Sequence, residues 1–196
     1  MLATLRSRVL GSTRCLRHYS TNVPAIASDD LIHHVDLRVG KIVQVDSHPT
    51  ADHLYVEQVA LDTESTEHQR TIVSGLAKYI PRESLLNKHV IVVGNMKPSK
   101  FRGVLSQGML LAASQGDRVE LLSPPATSTL GERVQLLGQE PMGPADPVLK
   151  PKQRVFEQVA EHLRTDTTRR AMYKGHVLVT SSGPVTCESI VDGQIS

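Results

Sequence analysis

The sequence predicts a mainly β protein built around a five-stranded OB-fold barrel. Short apolar and β-branched runs recur between turn residues, several of them alternate apolar with polar positions, and a short helix is predicted between the third and fourth runs. This order of elements is typical of an OB fold, whose surface binds nucleic acids or oligosaccharides. A β-sandwich would give a similar strand count, so strand counting alone leaves both architectures open.

The predicted strands lie between residues 35 and 122. The first alternates apolar and charged residues up to Val39, is interrupted by Gly40 and resumes at Ile42, as expected of a bulged strand at a barrel corner. Pro81 favours a short helix over residues 81–86. The remaining strands are predicted at 54–61, 71–74, 89–93, 109–113 and 119–122.

A second unit follows the Pro- and Gly-rich connector at residues 141–151. A helix is predicted over 152–163 because apolar residues recur there every four positions and Pro151 stands at the start. Strands are predicted at 177–180 and 185–191. Such a short unit buries little core alone. We therefore expect an α+β C-terminal extension that docks onto the barrel.

The N-terminal segment has a different composition. Residues 1–28 contain four arginines and no acidic residue, with interspersed hydroxyl and apolar side chains. This composition is typical of a mitochondrial transit peptide. The tripeptide ending at Tyr19 resembles a processing site, so we predict a transit peptide over 1–19, a linker over 20–30 and a location in the mitochondrial matrix. The alternative is a basic tail that binds RNA directly.

Charge distribution matters more than net charge. The full chain has 22 Lys and Arg against 20 Asp and Glu. Loss of residues 1–19 removes four arginines and no acid, which leaves 18 against 20 and a formal net charge of −2. However, no acidic residue occurs from Ser84 to Gly116, where four cations lie. The sequence therefore predicts a positive face on a nearly neutral protein.

Several classes of protein are excluded or disfavoured. No apolar run is long enough to span a bilayer, and two cysteines cannot form a disulfide framework. The chain lacks a P-loop, a dinucleotide-binding fingerprint and a Gly-x-Ser-x-Gly motif, so we expect a non-enzyme without a cofactor. His33, His34, His48 and His53 lack partners at metal-ligand spacing and are expected to be surface histidines, with no metal site.

The most informative segment is 95–109. It has three cations within six residues, interrupted by Pro98 and followed by Gly103, and it comes after a predicted strand. Cations held in a fixed array suit the phosphates of a nucleic acid, although a solvated basic loop is the simpler alternative. The chain has two Phe, four Tyr and no Trp. This scarcity favours folded RNA, recognised through phosphates and shape, over unstructured strands that need many stacking rings.

Four blocks of sequence, at 37–42, 48–57, 70–76 and 95–109, together resemble one family. They are similar to the tRNA-binding OB domain of the endothelial monocyte-activating polypeptide type. That domain also occurs in the yeast-type synthetase cofactor, at the C-termini of some tyrosyl- and methionyl-tRNA synthetases, and in a small bacterial tRNA-binding protein. The chain after residue 136 resembles the C-terminal extension of the eukaryotic members. The resemblance implies an OB domain at 31–136 and an extension at 137–196.

The family resemblance implies binding to the outside corner of folded tRNA, without base readout and without catalysis. An aminoacyl-tRNA synthetase is a candidate partner. The extension of the longer members mimics the second subunit of the bacterial dimer, so a monomer is favoured, with a dimer as the alternative. Carried over by position, the RNA-facing residues are Asn95, Lys97, Lys100, Arg102, Ser106, Gln107 and Met109. Arg38 and Lys41 are further candidates.

Two assignments in this segment stay open at the level of sequence. Met109 begins the fifth predicted strand, so it could equally be a core residue. Phe101 could stack on a base or pack against the barrel. The alternative function is an OB-fold structural subunit of a mitochondrial ribosome-associated or synthetase assembly. An extracellular, cytokine-like signal is a third possibility that the predicted transit peptide disfavours.

Overall fold

The computed structural model describes residues 23–62 and 69–196. The predicted transit peptide, at 1–19, lies outside the described residues. The predicted fold class is confirmed: the protein is mainly β, with a nearly closed five-stranded barrel and a docked extension that contains a short helix. Within the described ranges, no helix has the length and apolar character needed to cross a bilayer.

The barrel sheet contains five antiparallel strands in the order β3-β2-β1-β4-β7. A separate two-stranded hairpin, β5–β6, is inserted before the last of them. The bounds are β1 Leu37–Ser47, β2 Tyr55–Ala60, β3 Gln69–Ser74, β4 His89–Val93, β5 Ser99–Phe101, β6 Val104–Ser106 and β7 Met109–Leu110. The first four predicted strands are thus confirmed with small shifts at their ends, whereas β5 and β6 were not predicted.

The first strand is long because it pairs with two neighbours. Its N-terminal half pairs with β4 and its C-terminal half with β2, and the register shifts between Ile42 and Gln44, so the strand is bulged as predicted but beyond the interruption at Gly40. Gly40 has a different role. A Cβ atom at this position would lie 2.7 Å from Val59 Cγ1 and 3.0 Å from Val92 Cγ2. Glycine therefore permits a close approach inside the barrel, where a larger residue would clash.

The barrel is closed by side chains as well as by strands. The edge strands β3 and β7 are bridged by the segment between β6 and β7. The Gln107 N–H donates to the Thr71 carbonyl at 2.8 Å, and the Thr71 N–H donates to Gln107 Oε1 at 3.1 Å. The Val73 N–H donates to Ser106 Oγ at 3.0 Å. Both residues therefore complete the hydrogen bonding of an otherwise open sheet edge.

The extension contributes to a second, larger sheet in the order β10-β13-β12-β11-β15-β8-β9, with β14 paired to β13. The bounds are β8 Ala112–Gln115, β9 Arg118–Leu121, β10 Gln135–Leu136, β11 Leu163–Thr165, β12 Ala171–Tyr173, β13 His176–Thr180, β14 Gly183–Pro184 and β15 Gln194–Ile195. The predicted fifth strand is divided between β7 and β8, so the chain passes from the barrel into the second sheet at Leu111.

In the residues that the structure describes, every helical element is short. Single 3₁₀ turns lie at Leu31–His34, Leu76–Lys78, Arg82–Ser84 and Pro151–Gln153, and the α-helix α1 spans Val155–Ala160. The helix predicted over 152–163 is therefore too long. Arg154 has a φ of 49°, which separates the 3₁₀ turn from α1, and Leu163 already belongs to β11. The strand predicted at 185–191 is also wrong, because that segment forms only bridges through Thr186.

Two apolar clusters stabilise the molecule. One fills the barrel and includes Ile42, Val59 and Ile72. The other packs the opposite face of the barrel sheet, through residues such as Val39, against the extension, through residues such as Leu178. Burial of both faces explains why the run in β4 is almost continuously apolar. The extension thus covers an apolar surface of the barrel. The domain boundaries at residues 30 and 136 stay predictions.

Candidate nucleic-acid interface

The basic segment forms an ordered hairpin. Within it, Lys100 pairs with Leu105 and Phe101 pairs with Val104. The two turn residues, Arg102 and Gly103, have φ values of 44° and 99°. Two consecutive positive φ values are typical of a type I′ turn, whose twist matches that of the flanking strands. We call residues 97–106 the basic hairpin.

Three cations extend from this hairpin. Lys97 precedes β5, Lys100 lies within it and Arg102 occupies the turn, and all three side chains are exposed. None forms an ion pair with an acidic side chain in the part of the chain that the structure describes. Their charges are therefore not neutralised by those carboxylates and are available to an anionic ligand.

A buried histidine anchors the hairpin to the barrel. The His48 side chain is 3% exposed, and its Nδ1 accepts a hydrogen bond from the Thr50 N–H at 3.2 Å. This bond assigns the proton to Nε2, which donates to the Phe101 carbonyl at 3.0 Å. The expectation that the histidines lie on the surface is therefore wrong for His48. Its ring links the turn after β1 to the tip of the hairpin.

An apolar cleft of about 290 Å³ lies between the hairpin and the end of β3. Its walls include Leu76, Met96 and Met109, with Lys97 at the same opening. Phe101 also lines this cleft and is 45% exposed, so the ring is not packed into the barrel. Met109 is partly buried, packs against the core and lines the cleft, so the two roles left open by the sequence coexist.

A second cleft, which we call the cationic cleft, lies on another side of the hairpin. It is lined by Arg102 and Lys78, together with Thr50, Ala51, His53 and one acid, Asp52. Lys78 ends the 3₁₀ turn at Leu76–Lys78, directly after β3. Lys78 was not among the residues predicted from the sequence. The feature that could have identified it is its position two residues beyond the block at 70–76, where a turn returns the chain toward the hairpin.

Asn95 does not lie on the RNA-facing surface, which corrects the sequence prediction. The side chain is 5% exposed, and its Oδ1 accepts from the Asp36 N–H at 3.0 Å. Its Nδ2 donates to the carbonyls of His34 and Asp146, each at 2.8 Å. Both donor hydrogens and the carbonyl oxygen are thus used within the protein. Asn95 joins the barrel to the segments before β1 and after β10.

Ser106 and Gln107 also have internal roles. Ser106 is 3% exposed, accepts from the Val73 N–H and donates to the Gly108 carbonyl at 3.1 Å. Gln107 uses its side-chain oxygen to close the barrel edge at Thr71. These side chains position the base of the hairpin rather than extending from it.

Arg38 and Lys41 are not brought to the hairpin. Arg38 Nε donates to both carboxylate oxygens of Asp36, at 3.0 and 2.8 Å, and Nη1 donates to the Gly131 carbonyl. Its charge is thus partly satisfied by an internal acid. Lys41 lies within β1 opposite His89, where burial and the Lys41 charge lower the histidine pKa. Neither residue lines the apolar or the cationic cleft.

A buried carboxyl group lies behind the wall of the apolar cleft. Glu57 is fully buried, and its Oε1 accepts a hydrogen bond from the hydroxyl of Ser74, a cleft residue. Among the described residues, Oε2 has no hydrogen-bond partner. Burial raises the pKa of Glu57 to about 7, against the weaker opposing effect of the Ser74 hydrogen bond. The group is therefore largely protonated below neutral pH.

Comparison with known proteins shows the family of the chain. Residues 37–133 match the family described as "Putative tRNA binding domain". The crystal structure of the C-terminal domain of Plasmodium vivax p43 has a TM-score of 0.78 and 33% sequence identity, and the match covers 84% of this chain and 98% of that domain.

Longer proteins contain a similar segment. The cytoplasmic tyrosine–tRNA ligase of Xenopus tropicalis is 45% identical over 165 residues, which are 83% of this chain and 30% of that ligase. The mouse aminoacyl tRNA synthase complex-interacting multifunctional protein 1 is 42% identical over 141 residues, which are 72% of this chain and 44% of that protein. This chain therefore spans less than half the length of both relatives.

The matched family, the shared fold and the predicted sequence blocks lead to one conclusion: the chain belongs to the family of tRNA-binding OB domains that these synthetase-related proteins share.

Proposed function

We propose that this protein is a non-catalytic tRNA-binding protein that contacts folded tRNA through the basic hairpin, by phosphate contacts and shape. The observation that carries the proposal is the set of three exposed cations on one hairpin, none of them paired with a described carboxylate. The type I′ turn and the His48 hydrogen bond hold these cations in place, so less conformational entropy is lost when RNA binds.

The chemistry of the hairpin suits phosphate rather than bases. Lys97 and Lys100 offer compact point charges, and Arg102 offers a planar fork that can donate two parallel hydrogen bonds to one phosphate. Lys78 adds a fourth cation beside Arg102 in the cationic cleft. The long stretch without acids, from Ser84 to Gly116, supports a locally positive potential despite the low net charge.

We further propose that the protein assists aminoacylation or tRNA handling in the mitochondrial matrix, with an aminoacyl-tRNA synthetase as its partner. The matrix location rests on the composition of residues 1–28. The synthetase partner rests on relatives that are named as a tRNA ligase and as a synthetase complex-interacting protein.

The salt dependence of tRNA binding tests the proposed function. If about four phosphates are neutralised, the affinity for mitochondrial tRNA should fall on the order of a hundredfold between 50 and 200 mM salt, as measured by gel shift. Lys100→Ala should weaken binding to all tRNAs alike, whereas Lys152→Ala, an equal loss of charge on the extension, should have little effect. Binding that does not respond to salt would refute the proposal.

Crosslinking in intact mitochondria, followed by RNA sequencing and mass spectrometry, tests the cellular part of the proposal. The expected result is enrichment of tRNA, with a synthetase among the bound proteins. Enrichment of ribosomal RNA and ribosomal proteins without tRNA would instead support the alternative of a structural subunit.

A further inference from the structure

Phe101 is an unusual residue for its surroundings. It is one of two Phe residues in the chain, and its ring is 45% exposed in the middle of the most basic segment. The backbone on which it stands is fixed, because its carbonyl accepts from the buried His48 ring and its neighbour begins the type I′ turn. The ring is therefore presented to solvent by a rigid support at the edge of a cleft.

The apolar cleft beside Phe101 combines an aromatic ring, flexible thioether side chains and a cation. Met96 and Met109 line its walls, and Lys97 lies at the same cleft. Methionine adapts its shape and contacts aromatic groups favourably. The hydroxyls of Ser74, Ser99 and Ser106 each donate their hydrogen to an acceptor inside the protein. The cleft therefore offers apolar contact and stacking rather than a fixed pattern of donors.

We propose that the apolar cleft receives one unstacked nucleobase of the bound RNA, which stacks on Phe101 while its phosphate contacts Lys97. This inference rests on the proposed function and names a specific subsite within it. Stacking on an aromatic ring accepts any base, because every base has a π-face. The cleft would thus add affinity to the phosphate contacts without adding sequence specificity.

Charge complementarity favours a nucleotide over an apolar peptide as the occupant. A peptide side chain needs no cation at the opening of the cleft, whereas a nucleotide carries its phosphate a short distance from its base. Lys97 provides positive charge at the cleft that Phe101 lines, and no acidic residue lies within 32 positions that include the hairpin, from residue 85 to residue 116. The arrangement therefore matches a ligand with one flat apolar part and one anionic part.

Substitution of Phe101 separates stacking from charge. Phe101→Ala should lower the affinity for tRNA by about 5- to 150-fold, the range for loss of one base–aromatic contact. The slope of affinity against salt should stay unchanged, because no cation is removed. Phe101→Tyr, which keeps an aromatic ring, should bind tRNA as the unaltered protein does. Phe101→Leu should have an affinity between those of Phe101→Ala and the unaltered protein. Because the ring is exposed, these variants should fold as the unaltered protein does, and circular dichroism checks their folding.

A second variant fills the cleft instead of removing the ring. A Cβ atom on Gly75 would meet no atom within 4 Å, and this glycine lines the cleft with an ordinary negative φ. Gly75→Leu should therefore fold normally and occupy the space proposed for the base, with a loss of affinity similar to that of Phe101→Ala.

Fluorescence reports directly on stacking. The chain contains no tryptophan, so Phe101→Trp introduces a single tryptophan at the cleft, and its emission can be excited at wavelengths that the tyrosines do not absorb. Titration with tRNA should quench its emission, whereas Leu137→Trp, an exposed site on the extension, should show little change. Quenching by an apolar peptide and not by RNA would overturn the proposal in favour of a protein ligand.

The two proposals fail in different ways. If Phe101→Ala and Gly75→Leu bind tRNA as the unaltered protein does, with the same salt slope, the base subsite is wrong and the proposed function stands. If the unaltered protein shows no salt-dependent binding to tRNA, the proposed function itself is wrong.

Discussion

At the scale of single residues, burial of Glu57 makes the stability of the protein depend on pH. Glu57 is fully buried in the barrel, and burial raises its pKa to about 7. The group has an ordinary pKa of 4.5 when the chain is unfolded. Between these two values the unfolded chain has released the proton and the folded chain still holds it. Stability therefore falls as the pH rises from about 4.5 to about 7, and levels off above that.

Replacement of Glu57 by glutamine should remove this pH dependence. Glutamine keeps an oxygen that accepts from Ser74 and cannot ionise. The free energy of unfolding of Glu57→Gln, relative to the unaltered protein, should therefore rise by up to about 3 kcal/mol between pH 4.5 and pH 7. Denaturant titrations at several pH values measure this difference. Glu83→Gln, at an exposed position, is the control and should follow the unaltered protein.

The exposure of the cations in the candidate site was predicted correctly from the sequence, whereas the exposure of its polar side chains was not. Lys97, Lys100 and Arg102 are exposed as expected, because a charged side chain close to turns seldom finds a buried partner. Asn95 is buried among three hydrogen-bond partners that lie 51 to 61 positions away along the chain. Nothing local in the sequence indicates such partners.

At the scale of elements, the turn of the basic hairpin places a charged residue, Arg102, at a position with an unfavourable backbone conformation. Arg102 has a φ of 44°, a region that β-carbon sterics disfavour and that asparagine tolerates better. The chain thus keeps an arginine where the turn alone would favour another residue. This choice is expected if the guanidinium has a binding role that compensates for the backbone cost.

Arg102→Asn should separate the two effects. The free energy of unfolding should stay the same or rise by up to about 1 kcal/mol, because asparagine suits the left-handed region. Affinity for tRNA should fall about tenfold, because one charge-assisted hydrogen bond to phosphate is lost. Thermal unfolding and gel shift measure the two quantities. Unchanged affinity for tRNA would show that Arg102 serves only the turn. The matched control is Arg102→Lys, which keeps the charge.

Elements whose pattern is local were predicted, and elements that depend on distant pairing were not. The bulged β1 and the almost entirely apolar β4 follow from their own residues. In contrast, α1 is short because Arg154 is left-handed and Leu163 joins a sheet. The hairpin strands β5 and β6 were missed, since their exposed residues show no apolar alternation.

At the scale of the whole molecule, the barrel and the extension share one core. Ile195 is fully buried and pairs with Ala113 in β8, a strand of the second sheet. Ala112 and Ser196 exchange two backbone hydrogen bonds, at 2.9 and 3.0 Å. The C-terminus is thus integrated into the fold, so the barrel and the extension should unfold together.

Ile195→Ala tests this cooperativity. Loss of a fully buried side chain should lower the free energy of unfolding by about 2–5 kcal/mol. A single transition should persist when barrel and extension are monitored separately. The control, Val148→Ala, alters a side chain that is 46% exposed and should change stability by less than about 0.5 kcal/mol. Two separate transitions would contradict the shared core.

The proposed interface depends on charges at one place on the surface rather than on net charge, and the salt slope of binding tests this most directly. For the unaltered protein, the plot of log affinity for tRNA against log salt concentration should have a slope of about −3 to −4. Combined substitution of Lys97, Lys100 and Arg102 by alanine should make the slope shallower by about 2–3. The same loss of charge on the extension, at Lys150, Lys152 and Arg164, should leave it nearly unchanged. Equal slopes for the two triple variants would contradict the proposed interface.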